Sequence, residues 1–236
     1  MFFPEKVQSI QKNDVVLEIG PGSTPYPRSN VLLDKYFSPE EALLQNGNVQ
    51  RIKIDKPFIY FDGQHFPFKN KSFDYAVCSH VLEHVYDIED FVNELQRVAK
   101  RGYLEFPTIY YDFIYNIPVH VVFLFYSDGI IYYMHKSENN FYEFPRVNQF
   151  FYETLKSGYT SFVNELKPYF FQGIEWNEKI KLVKASSIND LTYDLAHIRI
   201  PPYNNPFADH SMRAYLKKGL KKLHFPCFKS NLIKIR

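Results

Sequence analysis

The chain has little cysteine: Cys78 and Cys227 are its only two. Two thiols build no disulfide framework, and neither sits in a metal-type spacing. A reducing compartment, the cytoplasm, is the expectation. Long apolar runs are also missing. The most apolar stretch, Ile117 to Tyr126, is ten residues long. A membrane-spanning helix needs about 20, so no transmembrane segment is expected. The opening residues, MFFPEKVQSIQKND, lack the charged-then-apolar order of a secretory signal. No G-x-x-x-x-G-K-[ST] run occurs, which argues against a phosphate-cradling triphosphatase. No metal constellation is legible and no metal is expected; His135 and His210 stand alone. Repeats, low-complexity tracts and clear linkers are absent as well.

Aromatic rings, by contrast, are abundant at 18% of residues, with 19 Tyr and 23 Phe. They serve either as a core built from Phe and Tyr or as the lining of a site, and each buried Tyr hydroxyl needs a partner. The net charge of +2 hides an asymmetry. After Asp209 come eight basic and no acidic residues, from Arg213 to Arg236, which leaves the rest of the chain at −6. An acidic body carrying a basic tail fits a solvated tail, or one that meets an acidic surface such as a second copy. Nucleic acid is not expected as a partner, because the body is acidic and no recognition motif appears.

Val15 to Ile19 reads as a buried strand running into Gly20-Pro21-Gly22. Val31 to Asp34 is the next strand. Only Ser23 to Asn30 separate the two, too few for an ordinary helical crossover of about a dozen or more residues. Ser38-Pro39-Glu40-Glu41 has the form of a helix start, with Gly47 as its stop. Strands follow at Pro57–Asp62 and Phe73–Cys78. A helix capped by Asp87 comes next, with Ile88, Phe91, Val92, Leu95, Val98 and Ala99 on one face and Gly102 at its end. Tyr103–Phe106 is the fifth strand. Val119–Tyr126 and Ile130–Met134 flank the hairpin turn Ser127-Asp128-Gly129. Tyr169–Trp176 and Lys179–Lys184 read as a second hairpin. Met212 to His224 has the spacing of a basic amphipathic helix, and Asn204-Asn205-Pro206 is the break before the tail. Strands alternating with helices imply an α/β fold with a mostly parallel sheet.

A strand that stops in glycines lets backbone approach a ligand closely. A carboxylate at the end of the next strand, Asp34, suits a ribose diol. His80, Glu83 and His84 would share one face of a helix, and a histidine there could take a proton from a reacting group. The plainer reading is that Glu83 and His84 brace the helix. Thr108 to His120 offers rings and titratable groups in Tyr110, Tyr111, Asp112, Tyr115 and His120. The alternatives are an acceptor site or a Tyr-rich packing layer, with His120 a satisfied core histidine.

The segments VLEIGPG (Val16 to Gly22), VLLD (Val31 to Asp34), FDGQHFPFKNKSFDYAVCSHVLEHVYD (Phe61 to Asp87) and KRGYLEFP (Lys100 to Pro107) resemble the class I S-adenosylmethionine-dependent methyltransferases, small bacterial type 11 kind. The resemblance covers roughly the first 107 residues. It implies a Rossmann-like, mostly parallel seven-stranded sheet with flanking helices and an antiparallel edge hairpin, beside an extra hairpin-rich aromatic region. It implies S-adenosylmethionine as cofactor and S-adenosylhomocysteine as product. Glu18, Gly20 and Gly22 would lie against the amino-acid part of the cofactor, Asp34 at its ribose, and Asp62, Gly63 and Gln64 at its adenine. Ser79 and His80 would flank it. The usual third glycine and long helix after Gly22 are missing. Catalytic candidates are His80, His84 and His120; acceptor-binding candidates are Glu83, Tyr110, Tyr111, Asp112 and Tyr115.

The expected reaction is methyl transfer to an oxygen or nitrogen of a small polar acceptor, such as a sugar or cell-surface glycan precursor in polysaccharide biosynthesis. The alternatives are a small amine or quinone-type metabolite as acceptor, or a cofactor-binding partner subunit without catalysis. The expected organisation is a domain over 1–203, its cofactor half 1–107 and acceptor half 108–203, then a basic tail over 204–236. The chain could pair as a homodimer or meet an acidic surface through that tail.

Overall fold

A computed structural model describes residues 1–35, 55–138, 145–198 and 200. The helix expected from Ser38, the Asn204 break, the helix at Met212–His224 and the basic tail lie outside the described residues. The chain divides into two units, Met1–Tyr193 and Asp194–Arg236. In the second, the described residues form a turn in which the Asp194 carboxylate accepts from the Ala196 N–H at 2.9 Å. Everything below concerns the first unit.

Its main sheet has six strands: β1 (Val16–Ile19), β2 (Val31–Lys35), β3 (Phe58–Phe61), β4 (Phe73–Ser79), β5 (Ala99–Pro107) and β8 (Phe171–Asn177), in the order β3-β2-β1-β4-β5-β8. All neighbours pair parallel except β5 with β8. A second sheet, β6-β7-β9, comprises β6 (Val122–Ser127), β7 (Ile130–His135) and β9 (Lys181–Lys184). The fold is thus α/β and Rossmann-like, with six strands in the main sheet where seven were expected. The second expected hairpin does not form: β8 supplies the antiparallel edge, whereas β9 crosses to pair parallel with β7. The turn between them explains the divergence. Glu178 sits in the left-handed region (φ 60°), Ile180 is buried, and its N–H is held by the Gln96 side chain at 2.7 Å. The first hairpin forms as expected. Asp128 and Gly129 both take positive φ (50° and 80°), the two-residue turn whose twist matches the strands.

The period of two along the strands sorts the core into faces. Leu17, Ile19, Ala76, Cys78, Leu104 and Phe106 point to one side. There they meet helix α1 (Ile88–Val98), whose Ile88, Phe91, Val92, Leu95 and Val98 are all buried. Each such side chain is worth about 1.5–3 kcal/mol of burial. Asp87 is the N-cap residue but makes no side-chain cap bond. Gly102 is not the helix stop; it lies inside β5, where a Cβ would come within 2.2 Å of the Ala76 carbonyl. Val16, Tyr75, Val77 and Tyr103 point to the opposite side, where Val7, Ile10 and Tyr26 cover them. The short β1–β2 connection supplies no helix, so the opening segment and the proline loop do this covering. Three further helices follow β5: α2 (Ile109–Tyr115), α3 (Pro145–Lys156) and α4 (Ser161–Glu165), with the single turn α5 (Lys167–Phe170) leading into β8. No helix among the described residues is long and apolar enough to cross a membrane.

Candidate functional site

The carboxyl ends of β1, β2, β3 and β4 form one edge, the place where open parallel sheets bind ligands. Gly20 (φ 62°) and Gly22 (φ 55°) both need the left-handed region. A Cβ on Gly20 would stand 2.4 Å from Val81 Cγ2, so the turn packs directly on the β4 exit. A Cβ on Gly22 would meet nothing within 4 Å, so the backbone there faces open space. Glu18 turns away from that space. Its buried carboxylate accepts from Tyr26 N–H at 2.8 Å and Ser29 Oγ at 2.7 Å, pinning the proline loop in place of the missing helix. Burial pushes its pKa up.

Asp34 is half-buried at the end of β2. Among the described residues its carboxylate accepts only from the neighbouring Lys35 N–H, at 2.8 Å. Burial pushes its pKa up to about 6. Such a group is short of donors, and the two hydroxyls of a ribose would supply them. Asp62 follows β3 and is exposed. It accepts from the Gln64 and His65 N–H groups at 2.9 and 3.4 Å, and these bonds hold its pKa down. Gly63 (φ 93°) lies against the Lys35 side chain in the same turn. The glycine opening, the unsatisfied Asp34 and the Asp62 turn fit a nucleoside-bearing cofactor.

Beyond β4 the structure gathers a buried polar cluster. Ser79 Oγ donates to Glu105 at 2.8 Å. His80 (φ 57°) is clasped between Glu83 and Glu105, 3.2 Å from each, and its ring meets Phe2 and Phe171 edge-on. The two carboxylates overcome burial and raise its pKa to about 9. A shift in that direction favours the protonated ring, which is the opposite of what a proton acceptor needs. Sequence reasoning missed Glu105, the hub of this corner. It is wholly buried and also accepts from Tyr103 Oη at 2.7 Å and from the Phe2 and Phe3 N–H groups. The available signal was an acid inside the apolar run YLEFP.

Glu83 and His84 sit not on an α-helix but on a single 3-10 turn, Leu82–His84. His120 comes to them from the far side of α2. That helix stops at Asn116, in the left-handed region (φ 41°). The chain then turns back, and Val121 N–H donates to the Glu83 carbonyl at 2.7 Å. The His84 and His120 rings meet edge-on with centroids 4.7 Å apart. His84 Nδ1 bonds the Val119 carbonyl at 3.1 Å, and His120 Nδ1 bonds Asp112 Oδ1 at 2.7 Å. Lys136, a second residue missed in sequence, is buried against Asp112 at 3.3 Å, and burial lowers its pKa. Burial also lowers the His84 pKa, while the His80 pairing holds Glu83 down to about 2. Two buried oxygens, Glu83 Oε2 and Asp112 Oδ2, have no hydrogen-bond partner among the described residues.

The tyrosines divide differently. Tyr115 is buried in a core cluster with Phe3 and Phe170. Tyr110 stacks on Tyr193 at 5.2 Å, and its hydroxyl accepts the Tyr193 N–H. Tyr111 packs between Tyr115 and Phe171. All three make packing contacts, and Asp112 of the same helix bonds His120. A hollow of about 190 Å³ between Tyr86–Asp90 and the side chains of Tyr133 and His135 is smaller than the ~300 Å³ at which ligand pockets begin.

Residues 37–105 match the family model described as a methyltransferase domain. The match implies S-adenosylmethionine as cofactor. It takes in Asp62, Gly63, Gln64, Ser79, His80, Glu83 and His84, but begins after the glycine turn and Asp34. No curated protein matches the chain. Among solved structures it is similar to the YcgJ protein of Bacillus subtilis, at 21% identity over 48% of this chain and 56% of that one, with a TM-score of 0.36. It is also similar to S-adenosylmethionine-dependent methyltransferases of Methanosarcina mazei (21% identity, 50% and 68% covered, TM-score 0.31) and Mesorhizobium loti (15%, 42% and 48%, TM-score 0.31). The chain thus spans about half the length of the Bacillus subtilis protein.

Proposed function

We propose that the chain transfers a methyl group from S-adenosylmethionine to an oxygen, or a nitrogen, of a small polar acceptor. The observation that carries this reading is the adjacency of two sites. The Gly20 turn packs on Val81, and Glu83 and His84 follow within three residues. When bound, the cofactor supplies an electrophilic methyl on a sulfonium. Asp34 would accept from its ribose hydroxyls, the Gly20–Gly22 backbone would lie along its amino-acid part, and the Asp62–Gln64 turn would flank its adenine. The protein's main contribution is alignment, since a well-aligned pair of reactants recovers about 7–11 kcal/mol of barrier. The acceptor would be held at the Glu83–His84–His120 cluster and relieved there of its proton. Charged and imidazole groups at that end suit a hydroxyl-rich acceptor, such as a sugar or glycan precursor, better than an apolar quinone.

In this reading residues 1–203 form the catalytic unit in the cytoplasm, and the basic tail over 204–236 meets an acidic surface, that of a second copy included. Calorimetry with S-adenosylmethionine and S-adenosylhomocysteine tests the cofactor half, and failure to bind either overturns the proposal. Turnover on a panel of sugar and amine acceptors tests the other half. His84→Ala and His120→Ala are expected to lower turnover at least tenfold with cofactor affinity unchanged. Binding without any turnover would favour a non-catalytic partner subunit instead.

A further inference from the structure

The sequence shows no metal-type spacing, because His120 lies 36 positions beyond His84. The fold removes that separation. Glu83, His84 and His120 each bring one ligand-type atom to a common point, all within 4.8 Å of one another. We propose that these three side chains form a binding site for a first-row divalent cation, with zinc or iron(II) the best matched.

The hydrogen bonds decide which atoms are on offer. A carbonyl only accepts, so His84 Nδ1, 3.1 Å from the Val119 oxygen, carries the proton. The Nε2 of the neutral ring then holds the lone pair. Asp112 does the same for His120 by accepting from Nδ1 at 2.7 Å. A carboxylate or carbonyl behind each ligating imidazole is the usual support of a protein metal site, fixing tautomer and ring orientation. Among the described residues no hydrogen bond engages either Nε2. The third donor, Glu83, uses Oε1 on His80, while its Oε2 is buried without a partner, on a side chain only 1% exposed. A buried anionic oxygen left bare costs about 1–3 kcal/mol or more, a cost that a cation at this point would remove.

Two imidazoles and one carboxylate favour zinc, iron, cobalt or manganese over magnesium, which prefers oxygen donors and water. At bond lengths of ~2.1 Å, tetrahedral ligands stand ~3.4 Å apart, so modest side-chain rotations bring the three atoms into range. Three protein ligands leave a position open. The site's catalytic meaning rests on the methyl-transfer reading; its existence does not. There, a coordinated acceptor hydroxyl would release its proton to solvent, its oxygen would bond the methyl carbon, and the carbon–sulfur pair would return to sulfur, giving the neutral thioether.

The test uses the full chain, stripped with chelator, without cofactor. Titration with Co²⁺ alone is expected to bind one ion per chain, with ligand-field bands in the visible spectrum. Competition with Zn²⁺ should abolish those bands. His120→Ala and Glu83→Gln are each expected to weaken binding at least 100-fold, and Asp112→Asn about 10–100-fold by loosening His120. Should His120→Ala fail to fold, His84→Gln reads the same ligand set. Absence of Co²⁺ binding overturns the proposal, as does binding that survives both Glu83→Gln and His84→Gln. Neither result bears on cofactor binding, which calorimetry reads separately.

Discussion

Asp34→Asn should make the protein more stable and worse at binding its cofactor. The Asp34 pKa rises from an ordinary 3.8 to about 6 because burial penalises the charge more than the Lys35 N–H bond stabilises it. Between those two values the folded chain holds a proton that the unfolded chain has lost. Stability therefore falls as pH rises through this window, and at neutral pH the charge costs roughly 2–3 kcal/mol. Asparagine removes that cost. At ~2–4 °C per kcal/mol for a chain of this size, Tm should rise by about 5 °C at pH 7 and hardly change at pH 4. Binding moves the other way. Hydrogen bonds to a charged group are each worth about 1.5–3 kcal/mol, so losing the carboxylate from a ribose diol should weaken S-adenosylmethionine at least about tenfold. In the wild type, affinity should also fall about tenfold between pH 7 and pH 5, as a carboxylate with a pKa near 6 takes up its proton. Calorimetry and thermal melts at pH 4, 5 and 7 read every arm. A variant that melts lower at pH 7 and binds the cofactor unchanged would refute the assignment of Asp34.

Further outcomes follow from the same geometry. Gly22→Ala adds a methyl to open space at positive φ, so stability should drop by only ~1 kcal/mol while cofactor affinity drops tenfold or more, as titration calorimetry reads. Gly20→Ala drives its methyl onto Val81; urea denaturation should show a loss of about 2 kcal/mol or more, partly recovered in combination with Val81→Ala. Glu105→Ala leaves His80, Ser79, Tyr103 and the Phe2 and Phe3 amides facing an empty acceptor, with an expected loss of about 3–5 kcal/mol by urea denaturation. In a Cys227→Ser background, Cys78, buried in β4, should react with a thiol reagent only as fast as the chain unfolds.

The glycine turn is legible in the sequence because its chemistry is local. Gly20, Gly22 and Asp34 lie within one β-loop-β unit, and both glycines do adopt the backbone region that other residues avoid. The order of the main-sheet strands up to β5, the amphipathic face of α1 and the Asp128-Gly129 hairpin are legible for the same reason: period and turn chemistry are written in neighbouring residues. The shortened first crossover is also visible there, though not its consequence, that Glu18 pins the loop and the opening segment covers the bare face of the sheet.

Tertiary structure alone decided how many strands share the main sheet. β9 has the pattern of a hairpin partner for β8, yet a left-handed Glu178 and a buried Ile180 send it to β7, and no local propensity records that choice. It alone decided the surroundings of the histidines. His80 looks like a base in sequence, but two carboxylates from different elements hold its proton. His84 and His120 belong to separate segments in sequence, but a left-handed Asn116 folds one back onto the other, with Asp112 and Lys136 behind. Side-chain protonation and geometry depend on what stands within a few ångströms, and here some of those neighbours are far along the chain: Glu105 is 25 positions from His80, and His120 is 36 from His84. The sequence by itself determined the glycine turn and the acid that follows it, because both are local; only the folded chain determined which side chains meet at the carboxyl end of β4, because that depends on packing between distant segments.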